Sequence, residues 1–596
     1  MRTNGILAVV VALAAGLRWF RIDAQSLWYD EAVSAHQLTR SFAEILRAAS
    51  LDTQPPLYYW ALAGWGHVFG GSELSLRSLS AVAGVAIVVL TFFTGRRLFG
   101  TLAGAVAALL IATAPLAVYY SQEVRMYAQV TALGLLAVYA YTRRTYWLYI
   151  VAGLATLYSQ YLGVAVLAAL NLHALIWWRE RTQGEWIKWL AANAAIAIGF
   201  LPWLPTFIDQ QSHALNTSPR TPLGLLEATL AAYGGGIAHG DVYTWAGTAL
   251  VVLSIVGLAL NRDWEANSMA LLVWVLPLGL VIGLAVKSGL YEVRYLLVGL
   301  PGLVLLAGLG VAQLARKHVS ALSLVIVTLV PAGLALWAQY YDPALARDDY
   351  RGLVGTISEA AQPGDAILLV APGQMDAVTY YYHGALPIIG LPAQRPIDPR
   401  DTIQRLDTLR QQHNRVWLVA WAMNEADPNG VIADWLAQNG FQATHEWFGG
   451  VQLALIGFPS PDQATQPVDA NLDNGIVLDG YRLSSRTLHP GDTLGLTLIW
   501  RAANGPTSDS WKVFTHLLNG ASQVVAQRDS EPGDNLRPTT SWRPGEQIED
   551  NYGITIPADL PAGSYTLEIG MYDGEKRSVF DGHGDHLVLG DVRVLQ

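Results

Sequence analysis

The sequence predicts a polytopic α-helical membrane protein of about eleven transmembrane helices, with a C-terminal extracytoplasmic α/β domain and a β-sandwich. Three observations carry this expectation. Long apolar runs are confined to residues 1–339. Basic residues between those runs recur in every second loop. Beyond about residue 340 the chain takes on a soluble composition with strand and turn patterning.

The 596 residues are 52% hydrophobic and only 14% charged, whereas a soluble protein carries about 25% charged residues. A net charge of −10 without any basic tract excludes general attraction to nucleic acid. The absence of cysteine excludes disulfides, thiol chemistry and Cys-type zinc sites.

A helix needs roughly 20 apolar residues to cross the hydrocarbon. Runs that meet or approach this fall near 4–19, 77–95, 102–120, 126–142, 146–158, 162–178, 186–206, 243–260, 267–286, 294–315 and 319–338. Lys and Arg stay on the cytoplasmic side. They cluster at Arg2, Arg96-Arg97, Arg143-Arg144, Arg179/Arg181/Lys188, Arg262 and Arg316-Lys317-His318. The N-terminus is therefore expected in the cytoplasm and the C-terminal region outside. A rival reading of the first run is a cleaved signal peptide at Ala12-Leu13-Ala14, which leaves the downstream sidedness unchanged. The outer loops are then about 20–76, 120–126, 158–161, 207–242 and 287–293, with 20–76 long, acidic and aromatic.

In the exported region, 340–460 alternates strand and helix patterns. Ala366–Val370 and Arg415–Ala420 read as buried strands, and 402–412 and 430–439 as helices. No glycine-rich phosphate loop follows a strand. A Pro/Asp/Gln/Asn linker (459–474) leads to 475–596, where short alternating strands and Pro-Gly turns indicate the β-sandwich. Trp500, Trp511 and Trp542 either line a sugar-stacking face or fill its core.

Ionisable residues at span ends are functional candidates. On the outer side these are Asp30, Glu31, Asp52, Glu123 and Glu292, with Arg77, Arg125 and Arg294. Arginines there run against the charge bias, so something retains them. A phosphate held by the guanidinium fork would do so, as would pairing with Glu123 or Glu292.

At these residues the chain resembles the GT-C superfamily of membrane glycosyltransferases, in the bacterial branch similar to protein O-mannosyltransferases and aminoarabinose transferases. The resemblance covers about 1–340. It rests on Asp30-Glu31 after the first helix, Pro55-Pro56-Leu57-Tyr58-Tyr59, Arg77-Ser78-Leu79-Ser80, Ser121-Gln122-Glu123-Val124-Arg125-Met126-Tyr127 and Arg294-Tyr295. It implies transfer of a sugar, usually with inversion, from a polyprenyl-phosphate donor to a protein, glycan or lipid acceptor at the outer face of the bacterial cytoplasmic membrane. Asp30 would be the general base, with Glu31 orienting it or binding acceptor. Arg125 and Arg294, with Arg77, would bind the donor phosphate. Tyr58, Tyr59, Tyr127, Glu123, Glu292 and Tyr295 would contact substrate. Asp52 would position substrate or a divalent cation. Gln54 stands where some relatives carry histidine, so metal use stays open.

Two other classes compete. A lipid-linked sugar transporter or flippase predicts charges at the bilayer midplane, whereas these charges gather at span ends. A non-catalytic surface carbohydrate-binding protein leaves the 20–76 loop unexplained.

Overall fold

The computed structural model describes residues 3–212, 221–317, 320–458, 463–535, 537–574 and 576–596. Arg2, His318 and parts of the 207–242 loop and the 459–474 linker lie outside the described residues. The chain divides into two compact units, Met1–Arg347 and Asp348–Gln596.

The first unit is helical. Among the described residues, five helices are long and apolar enough to cross a membrane: Glu73–Phe99, Gln183–Gln210, Asp241–Leu260, Trp264–Ser288 and Ser323–Tyr341. Shorter apolar helices include Gly5–Trp19, Thr101–Thr113, Tyr146–Ser159, Tyr161–Ile176 and Leu300–Arg316. The protein is therefore an integral membrane protein. Two apolar runs are interrupted for local reasons. The run 102–120 breaks between Thr101–Thr113 and Pro115–Tyr119, because Pro115 cannot donate into the preceding turn. The run 294–315 opens as a 3₁₀ turn, Val293–Val298, before the helix Leu300–Arg316 begins with proline in its first turn.

Leu300–Arg316 is buried on every side from Leu300 to Ala312, which makes it the central helix of the unit. Close approach to Asp241–Leu260 depends on glycine. A Cβ added to Gly257 would lie 2.6 Å from the Leu306 carbonyl, and one on Gly310 would collide with the Leu253 carbonyl. Small residues let backbones touch where lipid supplies no hydrophobic drive between helices.

The 20–76 loop folds into three helices, Tyr29–His36, Phe42–Leu51 and Leu57–Phe69. Ser41 and Glu44 form a reciprocal capping box at the second. Pro55-Pro56 precedes the third, which ends at Gly70 in a positive-φ conformation. The 207–242 segment likewise contains a helix, Pro222–Gly235.

The second unit opens with a five-stranded sheet in the order Ile388–Leu391, Ala366–Val370, Arg415–Ala420, Val451–Gly457, Phe441–Phe448. The first three strands are parallel and the last two antiparallel. Helices Pro399–Gln412 and Val431–Asn439 pack beside it. Two further sheets follow. One has four strands, Gln547–Thr555, Thr493–Ala502, Ile476–Leu483 and Gln466–Asn471. The other has six and is centred on Gly563–Asp573. Leu494, Leu496 and Leu498 of one and Leu567, Ile569 and Met571 of the other share one apolar core. The last part of the linker is therefore an edge strand, Gln466–Asn471.

Trp500, Trp511 and Trp542 are 0%, 4% and 2% exposed and belong to that core. The sugar-stacking alternative for them is thereby overturned. Trp500 Nε1 donates to Asp550 at 3.2 Å and Trp542 Nε1 to the Arg537 carbonyl at 2.9 Å, so their polar ends are satisfied inside.

Candidate active site

Asp30 and Glu31 lie in the first turn of Tyr29–His36, where the helix dipole favours acids. Neighbours on a helix point about 100° apart, so the two carboxylates serve different partners. That divergence organises the site.

Glu31 is fully buried. Arg77 grips it as a fork, Nε to Oε1 at 2.8 Å and Nη2 to Oε2 at 2.6 Å. The Val124 N–H donates to the same carboxylate at 2.9 Å, and Arg347 stands 3.6 Å away. Burial alone would raise this carboxyl. The charges of Arg77 and Arg347 and the two sets of hydrogen bonds instead hold it below its usual range. Arg77 spends its remaining N–H groups on the carbonyls of Ile22 (2.8 Å), Gln25 (2.7 Å) and Ser26 (2.9 Å). It is 1% exposed, and its guanidinium is saturated by protein acceptors.

Asp30 faces the other way and is 21% exposed at its side chain. Arg294 Nη1 is 3.0 Å from its Oδ2, and Arg125 Nη2 is 3.8 Å away. Arg125 Nη1 also donates to the Asp30 carbonyl at 3.2 Å and reaches Ser34 Oγ at 3.5 Å. Arg294 lies over the Tyr127 ring at 5.6 Å and pairs with Glu292 at 3.4 Å. The Nε atoms of both Arg125 and Arg294 are buried without a hydrogen-bond partner. A buried donor left unmade costs about 1–3 kcal/mol, so both guanidiniums keep unused hydrogen-bonding capacity while their Nη atoms approach Asp30.

Aromatic residues wall this centre. Tyr127 packs against Tyr120 and Tyr295, at centroid distances of 5.8 and 6.4 Å. Tyr59 donates to Asp52 Oδ2 at 3.3 Å. Tyr58 contacts Ser80 Oγ at 3.4 Å, and Ser80 in turn donates to the Arg125 carbonyl at 3.2 Å. Burial pushes both phenols up, so they act as neutral hydroxyls. Glu123 is 2% exposed. Its Oε1 takes the Trp28 indole N–H at 3.2 Å and its Oε2 has no partner. Burial pushes this carboxyl up to about 7, against the pull of Arg347. The arginines are retained by Asp30 and Glu292, and Glu123 is not a pairing partner of Arg125.

Two positions escape a sequence reading. Arg347, just beyond the last apolar run, stacks on Tyr119 at 4.7 Å and donates to the Gln122 carbonyl at 3.2 Å. Arg18 is wholly buried near the end of the first helix. It donates to Ser121 Oγ (3.1 Å) and to the carbonyls of Ala14 (3.2 Å), Ala112 (3.1 Å) and Ile111 (3.4 Å). An arginine inside an apolar run was the signal available for it.

Among the described residues, no three His, Asp or Glu side chains converge to hold a metal ion. Asp52 has Oδ1 engaged by the Thr53 N–H at 2.7 Å and Oδ2 by Tyr59, and Asp30 faces arginines.

Fold and site define an integral membrane protein whose polar centre is built from loop helices and span ends. A family model described as dolichyl-phosphate-mannose-protein mannosyltransferase matches residues 53–205. Among solved structures, ArnT from Cupriavidus metallidurans in the apo state matches with a TM-score of 0.53 at 13% identity, over 76% of this chain and 98% of that one. ArnT bound to undecaprenyl phosphate gives 0.52 at 14% identity, with the same coverage. The oligosaccharyltransferase AglB from Archaeoglobus fulgidus gives 0.47 at 10% identity, over 100% and 98% of the two chains. No curated protein matches by sequence. The likeness to ArnT shows a shared fold over about three quarters of the chain, and residues 53–205 resemble the mannosyltransferase family.

Proposed function

We propose that the protein transfers a sugar from a polyprenyl-phosphate donor to an acceptor hydroxyl at the outer face of the membrane, with inversion. The observation that carries this is the convergence of Asp30 with Arg125 and Arg294, each arginine holding one buried Nε without a partner. The likeness of the fold to ArnT, one structure of which holds undecaprenyl phosphate, supports the donor class.

In this reading the donor phosphate docks on Arg125 and Arg294 and draws the Arg294 fork away from Asp30. The freed carboxylate takes the acceptor hydroxyl proton. The acceptor oxygen bonds to the anomeric carbon as the bond from that carbon to the phosphate oxygen breaks. The electron pair leaves with the polyprenyl phosphate, whose growing charge the two guanidiniums stabilise. Tyr59 and Asp52, with Tyr127 and Tyr295, shape the sugar pocket, and Glu292 borders it beside Arg294. Tyr58 braces Arg125 through Ser80. Glu31 and Arg77, expected from the sequence to act on substrate, are assigned to holding the loop in place, since Arg77 has no N–H left for a phosphate.

The test is transfer from radiolabelled polyprenyl-phosphate sugars by purified protein supplied with membrane extract. Asp30→Asn is expected to lower turnover by about 10²–10⁴-fold while leaving donor binding in place. Equal transfer by the variant removes Asp30 from its role. Failure to bind or turn over any polyprenyl donor sinks the enzyme reading.

A further inference from the structure

A polar cavity of about 340 Å³ lies at the ends of the helices opposite the candidate active site. Arg77 and Arg97 sit near the two ends of the single helix Glu73–Phe99. At roughly 1.5 Å per residue they are about 30 Å apart, the thickness of the hydrocarbon layer. Arg97, Arg144 and Arg181 line the cavity together with Asp263 and Glu265.

Its floor is fixed by a chain of hydrogen bonds. His173 Nε2 faces the Glu265 carbonyl at 3.0 Å, so that nitrogen carries the proton. Nδ1 therefore accepts from the Tyr141 hydroxyl at 2.9 Å, and the Tyr141 oxygen accepts from Arg181. His173 and Tyr141 are buried, which anchors Arg181 from below. Arg97 is tethered through Nε to the Thr142 carbonyl at 2.9 Å, leaving its terminal fork for a ligand. Arg144, 57% exposed at the rim, is ion-paired with Glu185, so a bound phosphate would share it with that carboxylate.

The depth of the cavity is marked independently. Trp147, Trp178 and Trp264 stand within a few residues of Arg144, Arg181 and Asp263 and are 67%, 54% and 61% exposed. Exposed tryptophans at helix ends belong at the membrane–water interface. A cavity at that level meets headgroups, and basic pockets between helices on the Arg-rich face receive them.

We propose that this cavity binds the headgroup of a zwitterionic aminophospholipid of the surrounding bilayer. Its phosphate lies against Arg97, Arg144 and Arg181, whose guanidiniums match phosphate oxygens. Its ammonium lies against Asp263 and Glu265, which a purely anionic headgroup would be repelled by. The site is separate from the proposed transfer centre and does not depend on it.

The test uses the full-length protein, delipidated in detergent, titrated with short-chain phosphatidylethanolamine, phosphatidylglycerol and phosphatidylcholine and with water-soluble glycerophosphoethanolamine. Phosphatidylethanolamine should bind at least tenfold more tightly than the other two lipids and the soluble headgroup. Arg97→Gln combined with Arg144→Gln should cost tenfold or more. Asp263→Asn combined with Glu265→Gln should invert the preference toward phosphatidylglycerol, and asparagine keeps the cap that Asp263 supplies to the Ala266 N–H. Equal affinity for all headgroups, a wild-type preference for phosphatidylglycerol or phosphatidylcholine, or indifference to the arginine changes would overturn the proposal. Tighter binding of glycerophosphoethanolamine than of the lipid would assign the cavity to a soluble ligand and overturn it equally. Thermal melts of each variant, with Arg144→Gln alone as the rim change least able to disturb folding, separate lost binding from lost structure.

Discussion

Arg77→Met removes five hydrogen bonds at once, two to the Glu31 carboxylate and three to the carbonyls of Ile22, Gln25 and Ser26. Glu31 would remain buried with only the Val124 N–H and Arg347 at 3.6 Å to balance it. Breaking a buried pair from one side costs about 3–5 kcal/mol, a large share of a net stability of about 5–15 kcal/mol. Glu31→Gln should cost a comparable amount, because it leaves Arg77 buried without its carboxylate. The double variant removes both charges, so it should be more stable than either single variant, with a coupling larger than one single cost of about 3–5 kcal/mol. Unfolding in detergent followed by tryptophan fluorescence measures each variant, and donor binding is measured alongside. A clamp predicts that the double variant regains donor binding as it regains stability. Costs that simply add, or an Arg77→Met variant within 1 kcal/mol of wild type, would refute the clamp. A stable double variant that cannot bind donor would return Arg77 to the phosphate.

Glu123 supplies a pH signature. Its carboxyl, ordinarily near 4.5, is raised to about 7, so the folded state binds the extra proton and stability falls as pH rises through that interval, by about 3 kcal/mol in total. Glu123→Gln should flatten that slope in pH-dependent melts, and an unchanged slope would assign it elsewhere. The depressed Glu31 carboxyl acts oppositely: its contribution is present above the ordinary carboxylate range and is lost as pH falls below it, a loss that Glu31→Gln should abolish. Gly84→Ala would drive a methyl into Ser121 Oγ and to 2.6 Å from Arg18 Nε. Overpacking of that kind costs about 1–3 kcal/mol, and the displaced 121–125 segment should lower sugar transfer more than it lowers the melting temperature; unimpaired transfer would show that Arg18 does not position the segment. Arg294→Lys keeps the charge but loses the fork, so donor affinity should fall by tenfold or more in a binding titration, and unchanged affinity would remove Arg294 from the phosphate.

What was legible in the sequence followed from local rules. Apolar runs became helices because a span satisfies its own backbone in lipid and needs only length and hydropathy to be recognised. Ala366–Val370, Arg415–Ala420 and the helices Pro399–Gln412 and Val431–Asn439 were readable from short-range patterning and turn chemistry. The charged residues of the polar centre were visible as charges near apolar run ends, which is rare enough to be conspicuous.

Composition could not say which charge meets which, because that depends on contacts between residues far apart in the chain. Asp30 and Glu31 are adjacent, yet a helical rotation of about 100° sends Asp30 to an arginine 264 residues away and Glu31 to one 46 residues away. Only that geometry separates an accessible carboxylate facing two underused guanidiniums from a saturated clamp. The three tryptophans of the C-terminal sheets carried the same ambiguity, and the facing of two sheets over one core resolved it. Arg18 and Arg347 gained their roles from carbonyls, rings and carboxylates that folding alone brings to them. Apolar length and the placement of charge were enough to show that helices cross a membrane and that acids and arginines lie near their ends. Tertiary packing decided which of those charges are buried in saturated pairs and which stay accessible, because pairing and desolvation are set by distance in space.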